Sequence, residues 1–402
     1  GIRDLVRSRG LGDVYKRQGI DTLMLGNSEE LAQNNIEFVP GLNEDLGATT
    51  VWGSQLANRN FDGKFDGVLG MWYGKAPGVD RSGDAIRHAN VCGVDPKGGV
   101  LLVAGDDPAS KSSTLASESE FALLHFQTPI LYPGSVQEVA DYGRIGYELS
   151  RYSGLWVSLK IVTNVADGYS TIKVGPGRVQ IERPKFEWEG RPWQHTQQDA
   201  LFGPFAVRQE LEIHEGRLEA TDAFTRLNKL DITSGAASDA KIGLVAAGKT
   251  YYDLREALDR MGLDEEALQR RGIRIYKPAV VWPLEPTAIR EFAKGLDTIV
   301  VVEEKRAFVE MLMREILYGT TDAPVILGKR DQEHSFWFPG HGEMDADLIA
   351  RKLRPFLVER LGDDVVGPAV RERITIPVAL GSPDDKKQSN RTPNFCSGCP
   401  HN

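Results

Sequence analysis

Twice along this chain, short runs that are apolar on both faces alternate with segments of helical character, and this limits the fold more than any other feature. A strand with one wet face reads apolar at every second residue, so an unbroken apolar run is a strand covered on both sides, as in a parallel sheet with helical crossovers. Between Ile36 and Val162 the strand candidates are FDGVLGMWYGK, GGVLLVAGDDP, TPILYPG and LWVSLKIV, and IEFVP reads as a strand leading into the first helix. EDLGATTVWGSQLANR, DRSGDAIRHANVCG, ESEFALLHFQ and SVQEVADYGRIGYELSRYSG are the helical segments among them. A second block opens at KIGLVAAGKT and continues through YYDLREALDRMGL, IRIYKPA, TAIREFAKGL, DTIVVVEEKR and AFVEMLMREILYG. The predicted class is α/β throughout.

Between the blocks, RPKFEWEGRPWQHTQQDALFGPF mixes Pro, Trp, Gln and charge with little periodicity, and reads as a connecting segment that becomes helical from Ala206. One more helix, ADLIARKLRPFLVERLG, precedes the linker GSPDDKKQSNRTP. A length of 402 residues accommodates two or three domains. The net charge of −9 disfavours a nucleic-acid partner, no apolar run reaches a membrane-spanning length, and three cysteines point to a reducing, cytoplasmic setting. The opening GIRDLVRSRGLGDVYKRQ is basic and unlike the rest, resembling translated sequencing-adapter tails.

Glu44, in GLNEDLG, opens a helix after IEFVP, and an acid there is ordinarily favourable helix-dipole chemistry. WYGKAPGVDRSGD places Lys75, Asp80 and Arg81 beyond a strand, where α/β sheets bind ligands, although a structural turn with an ion pair reads equally well. AGDDPASKSST resembles a phosphate cradle but lacks GxxxxGK[ST], and Asp106 and Asp107 would repel phosphate; a domain edge or site wall is the better reading. The terminal CSGCPH carries Cys396, Cys399 and His401, too few for a complete cluster or zinc site. Cys92 reads as core, and His88 as the best histidine candidate beside a structural alternative.

Long ordered stretches, among them GLNEDLGATTVWGSQ, WYGKAPGVDRSGDAIRHAN, GGVLLVAGDDPASKSST, IGLVAAGKTYYD, VVVEEKRA and TPNFCSGCPHN, carry a resemblance over residues 19 to 402 to the bacterial fused indolepyruvate ferredoxin oxidoreductases. The resemblance implies a thiamine diphosphate-binding, pyrimidine-type parallel-sheet domain followed by a smaller transketolase-C-like α/β domain. It divides the chain into an adapter-like tail (1–18), a truncated thiamine-pyrimidine domain (19–165), a linker (166–235), the transketolase-C-like domain (236–330), a helical segment and linker (331–395), and the start of a diphosphate-binding domain (396–402).

The implied reaction is oxidative decarboxylation of an aryl pyruvate with coenzyme A (CoA), giving an acyl-CoA, with ferredoxin as electron acceptor. It needs thiamine diphosphate, Mg2+ and 4Fe–4S clusters. Glu44 would hold the cofactor's aminopyrimidine ring, Lys75 and Arg81 would contact the substrate carboxylate, and Cys396 and Cys399 would begin an iron–sulfur ligand set. VVVEEKRA would form an interdomain and assembly surface, in a homo-oligomer. No GDG with a downstream Asn is present to hold magnesium and diphosphate, so the fragment alone is expected to be inactive. A non-oxidative thiamine diphosphate decarboxylase or transferase, and a non-catalytic α/β assembly subunit in which Glu44 merely starts a helix, are the alternatives.

Overall fold

A computed structural model describes residues 23–60, 62–199, 201–235, 239–362 and 365. The adapter-like tail and the Cys396/Cys399 motif lie outside the described residues. In the first block the apolar runs form β1 (Leu69–Lys75), β2 (Gly99–Asp106), β3 (Ile130–Leu131) and β4 (Val157–Val162), in the order β1-β2-β4-β3 and all parallel. β2 and β4 are buried along their whole length, as their unalternating sequences require. The helix Glu44–Gln55 covers one face, and Gly70 of β1 lets Val51 and Val100 close over it. The helix Val136–Ser153 covers the other, where Gly146 meets Leu101, Leu131 and Val157. Ser135 caps this helix by accepting from the Glu138 amide, and Gly154 ends it at φ +84°. A side chain at Gly154 would strike the His195 ring at 2.5 Å, so that position requires glycine for its conformation and for the space.

The connecting segment contains a two-stranded hairpin, β5 (Glu187–Trp188) with β6 (Arg191–Pro192), and then the helix Pro204–Glu212, which passes through a π-helical turn (Ile213–Arg217) into Leu218–Leu227. The wide turn brings Arg217 inward, fully buried: it donates to Glu212 at 2.9 Å, the Asn90 carbonyl at 3.0 Å and the Thr196 carbonyl at 2.8 Å. This stretch is therefore packed against the first sheet's helices rather than serving as a loose tether.

The second sheet has the order β12-β11-β8-β9-β7, built from β7 (Ile232–Ser234), β8 (Ile242–Val245), β9 (Ile273–Lys277), β11 (Thr298–Val301) and β12 (Val325–Leu327). All its pairs are parallel except β7 with β9. β7 comes from residues read as linker, and the helix Ala346–Leu361 packs onto this unit through Ile349, Leu353 and Leu357. β10 (Val280–Trp282), two residues after β9, leaves the second unit and pairs antiparallel with β3, completing the first sheet.

One predicted strand is absent. Ile36 to Pro40 forms no ladder, and Ile36 and Val39 are exposed. β-propensity expresses packing on a pleated surface, and IEFVP has no adjacent strand to pair with among the described residues.

Candidate active site

Three consecutive residues at the start of the helix Glu44–Gln55 divide three tasks. Asn43 is the N-cap of Glu44–Gln55 and accepts from the Leu46 amide at 2.9 Å. Glu44 is half-buried in the first helical turn, where a negative charge is favoured, and its carbonyl accepts from the Trp72 indole at 3.0 Å. Its side chain lies across Gly78, so closely that a Cβ on Gly78 would come within 2.7 Å of the Glu44 Cγ. Asp45 pairs with Arg81 at 3.1 Å, so both acids meet the same short helix, Ala76–Arg81. Arg81, expected to meet substrate, has its Nε on Asp45 and ties Ala76–Arg81 to the helix of Glu44.

Lys75, at the carboxyl end of β1, donates to the Ser112 carbonyl at 3.0 Å. Ser112 belongs to the loop after β2, which is shaped by Asp107: its carboxylate accepts from the Lys111 and Ser112 amides at 2.9 and 2.8 Å, and its own amide donates to the Ser117 hydroxyl. The acids that exclude a phosphate cradle are thus the loop's internal scaffold. Asp106 is buried, accepts from Ser119 at 2.6 and 2.9 Å, and lies 3.6 Å from Lys160 of β4. Burial lifts the Asp106 carboxyl to about 6, against the pull of Lys160. Lys160 is itself buried, pairs with Glu120 and stands 4.4 Å over the Tyr132 ring. Burial opposes its charge, but Glu120, Tyr132 and Asp106 together hold its pKa well above the usual lysine value.

The second unit closes over the same loop. Lys305, at φ +57°, donates to the Pro108 carbonyl, and Arg306 pairs with Glu118. Glu343 pairs with Lys111 at 2.9 Å and Lys249 at 3.4 Å, and accepts from Asn164. VVVEEKRA thus lies at the contact between the two units, with Glu303, Glu304 and Lys305 buried. Sequence reasoning missed Lys160, Glu120, Lys249 and Glu343. Lys160 alone had a signal, a lysine inside the otherwise apolar LWVSLKIV. Glu343 sits in a polar stretch that looks like surface.

The remaining candidates separate cleanly. His88 is exposed, bonded to the Asp84 carbonyl at 2.9 Å and beside Trp52. Cys92 is fully buried, and burial lifts its thiol to about 11, so it is core. Among the described residues no group of three or more His, Cys, Asp or Glu could hold a metal ion.

Residues 232–373 match the family described as Indolepyruvate oxidoreductase domain. The chain is 26% identical over 308 residues to the indolepyruvate oxidoreductase subunit IorA of Archaeoglobus fulgidus, an alignment covering 77% of this chain and 44% of that protein. It is 24% identical over 335 residues to IorA of Methanothermobacter marburgensis, covering 83% and 48%. The chain thus spans about half the length of the curated relatives it matches, and the resemblance read from its motifs to indolepyruvate oxidoreductases stands. Among solved structures, 2-oxoglutarate:ferredoxin oxidoreductase from Magnetococcus marinus, with 2-oxoglutarate, coenzyme A and succinyl-CoA bound, superposes with a TM-score of 0.59 at 14% identity, over 84% of this chain and 60% of that one. That likeness bears on the fold, and agrees with the α/β class.

Proposed function

We propose that this chain is part of an indolepyruvate ferredoxin oxidoreductase, in which Glu44 holds the aminopyrimidine of thiamine diphosphate during oxidative decarboxylation of an aryl pyruvate to an acyl-CoA. The observation that carries this reading is the placement of Glu44: an acid in the first turn of a helix, its side chain laid over Gly78, three residues past the carboxyl end of β1. The arrangement fits the cofactor's ring end. A half-buried carboxyl can share a proton with a ring nitrogen, and Asn43 and Asp45 hold its helical turn in place through the Leu46 amide and Arg81. When bound, the cofactor supplies the carbanion sink, and the chain's own part is to fix the ring and relay one proton.

Lys75 remains the candidate for the substrate carboxylate, with Arg81 acting through the Asp45 pair. The diphosphate, Mg2+ and 4Fe–4S ligands are assigned to the rest of the relatives' length and to the segment containing Cys396 and Cys399. CoA and ferredoxin are the proposed co-substrate and electron acceptor, in a cytoplasmic homo-oligomer; no helix among the described residues is long and apolar enough to cross a membrane.

The test is Glu44→Gln in the longer enzyme carrying this chain. If the carboxyl relays the proton, hydrogen–deuterium exchange at the cofactor C2 slows by about 10²–10⁴-fold with unfolding nearly unchanged. A residue that only starts a helix leaves exchange at the wild-type rate and costs about 1 kcal/mol of stability at most. Wild-type exchange in the variant would remove Glu44 from the mechanism.

A further inference from the structure

We propose that Gly78 is a positioning residue of this site, whose missing side chain sets where the Glu44 carboxyl can stand; the functional half of the inference rests on the reading of Glu44 given above. Gly78 is buried in the short helix Ala76–Arg81, and its backbone has no left-handed conformation that would call for glycine. In a helix, glycine is the weaker choice, since alanine loses less backbone entropy. The space explains it instead. A Cβ built on Gly78 meets the Glu44 Cγ at 2.7 Å and its Cδ and Oε1 at 3.4 Å. Those are atoms along the middle and end of one side chain, so any larger residue moves the carboxyl itself.

Around this contact the backbone of Glu44 is held from three sides. Asn43 caps the helix, Trp72 donates to the Glu44 carbonyl, and Asp45 is bound to Arg81, which lies three residues beyond Gly78. With the main chain fixed, the strain introduced at Gly78 falls on the Glu44 side-chain torsions. Gly78 therefore controls the direction of the carboxylate, while the Asp45–Arg81 pair controls the distance between the two helices. By this division, aminopyrimidine ligands require glycine at position 78, whereas folding does not.

A stability cycle on the 402-residue chain tests the contact without cofactor, using Gly78→Ala, Glu44→Ala and the double variant. Gly78→Ala is expected to lower Tm by about 2–4 °C in the wild-type background and to leave or raise it in the Glu44→Ala background, where the obstructing Cγ is gone. Gly83→Ala serves as control: its Cβ would meet Phe126 at 2.7 Å, so its cost should be the same in both backgrounds. Equal effects of Gly78→Ala in the two backgrounds would overturn the proposal.

The second arm uses free thiamine as the probe, read by saturation-transfer NMR at the aminopyrimidine methyl. Gly78→Ala should weaken the contact by about 10- to 100-fold at temperatures well below its Tm, and Gly83→Ala should not. Unchanged thiamine contact in Gly78→Ala would reduce the contact to packing and end the positioning role. No transfer in the wild type counts against the functional reading of Glu44, and the stability cycle then decides the seat by itself.

Discussion

Glu303 is a carboxyl that this fold makes reluctant to ionise. It is buried at the end of β11, where it accepts from the Val309 and Glu310 amides, and burial lifts its pKa to about 7 although Lys329 and those amides pull the other way. In the unfolded chain the same group ionises near 4.5, so between those values the folded state binds more protons and stability falls as pH rises. The penalty starts near pH 4.5, grows through pH 7 and is constant above. Gln at this position loses one amide contact at every pH but has no proton to lose. The difference in Tm between Glu303→Gln and the wild type should therefore climb in the variant's favour from pH 4.5 to 7 and level off; scanning calorimetry across that range would expose a flat difference if the assignment is wrong. At this scale little was legible beforehand. Glu44, Lys75 and Arg81 could be singled out by motif, but the pairing of Arg81 with Asp45 depends on how two helices meet, which spacing along the chain does not encode.

Elements were read well where they are long and periodic, and poorly where a few residues pair with something distant. The apolar runs of β2, β4, β8 and β11 became buried parallel strands, whereas β1, read as covered on both faces, alternates with Leu69 and Met71 exposed; the helix over Val136–Ser153 was visible as the segment SVQEVADYGRIGYELSRYSG. β7, β10 and β12, three residues each, escaped notice because their identity lies in their partners rather than in their own pattern. IEFVP erred in the opposite direction, having strand composition and no partner. Two glycines separate the demands of an element from those of its neighbours. Gly143, inside Val136–Ser153, has only Leu101 at 4.0 Å, so Gly143→Ala should stabilise by about 0.5–1 kcal/mol through helix propensity. Gly134, just before that helix, lies against the second unit: its Cβ would stand 2.1 Å from the Gly248 carbonyl oxygen, and backbone cannot rotate away. Gly134→Ala should cost about 1–3 kcal/mol or more in urea unfolding. Equal outcomes for the two would discount the close backbone approach.

Across the whole molecule, the two sheets are joined by a polar hub as well as by apolar packing. Glu343 receives Lys111 and Asn164 from the first unit and Lys249 from the second, while Glu138 of the first accepts from Tyr252 and Lys277 of the second. Removing Glu343 takes a partner from both Lys111 and Lys249, leaving Lys249 with Asp253 at 2.9 Å. Glu343→Gln is therefore expected to cost about 1–3 kcal/mol and to speed amide exchange in the loop from Asp107 to Glu118 ahead of either sheet; unchanged protection of that loop would show that Lys305 and Arg306 suffice to hold it. The α/β class and two blocks were evident from the sequence, but this junction was only hinted at by VVVEEKRA, since its other members are scattered over more than two hundred residues. The crossing of β10 adds an order of events. Because the strand that completes the first sheet is made after β8 and β9 of the second, a ribosome must release residues through Trp282 before the first sheet can close. The amino-terminal unit must then wait during synthesis with the β3 edge unpaired, and its last step of folding is timed by the carboxyl-terminal unit.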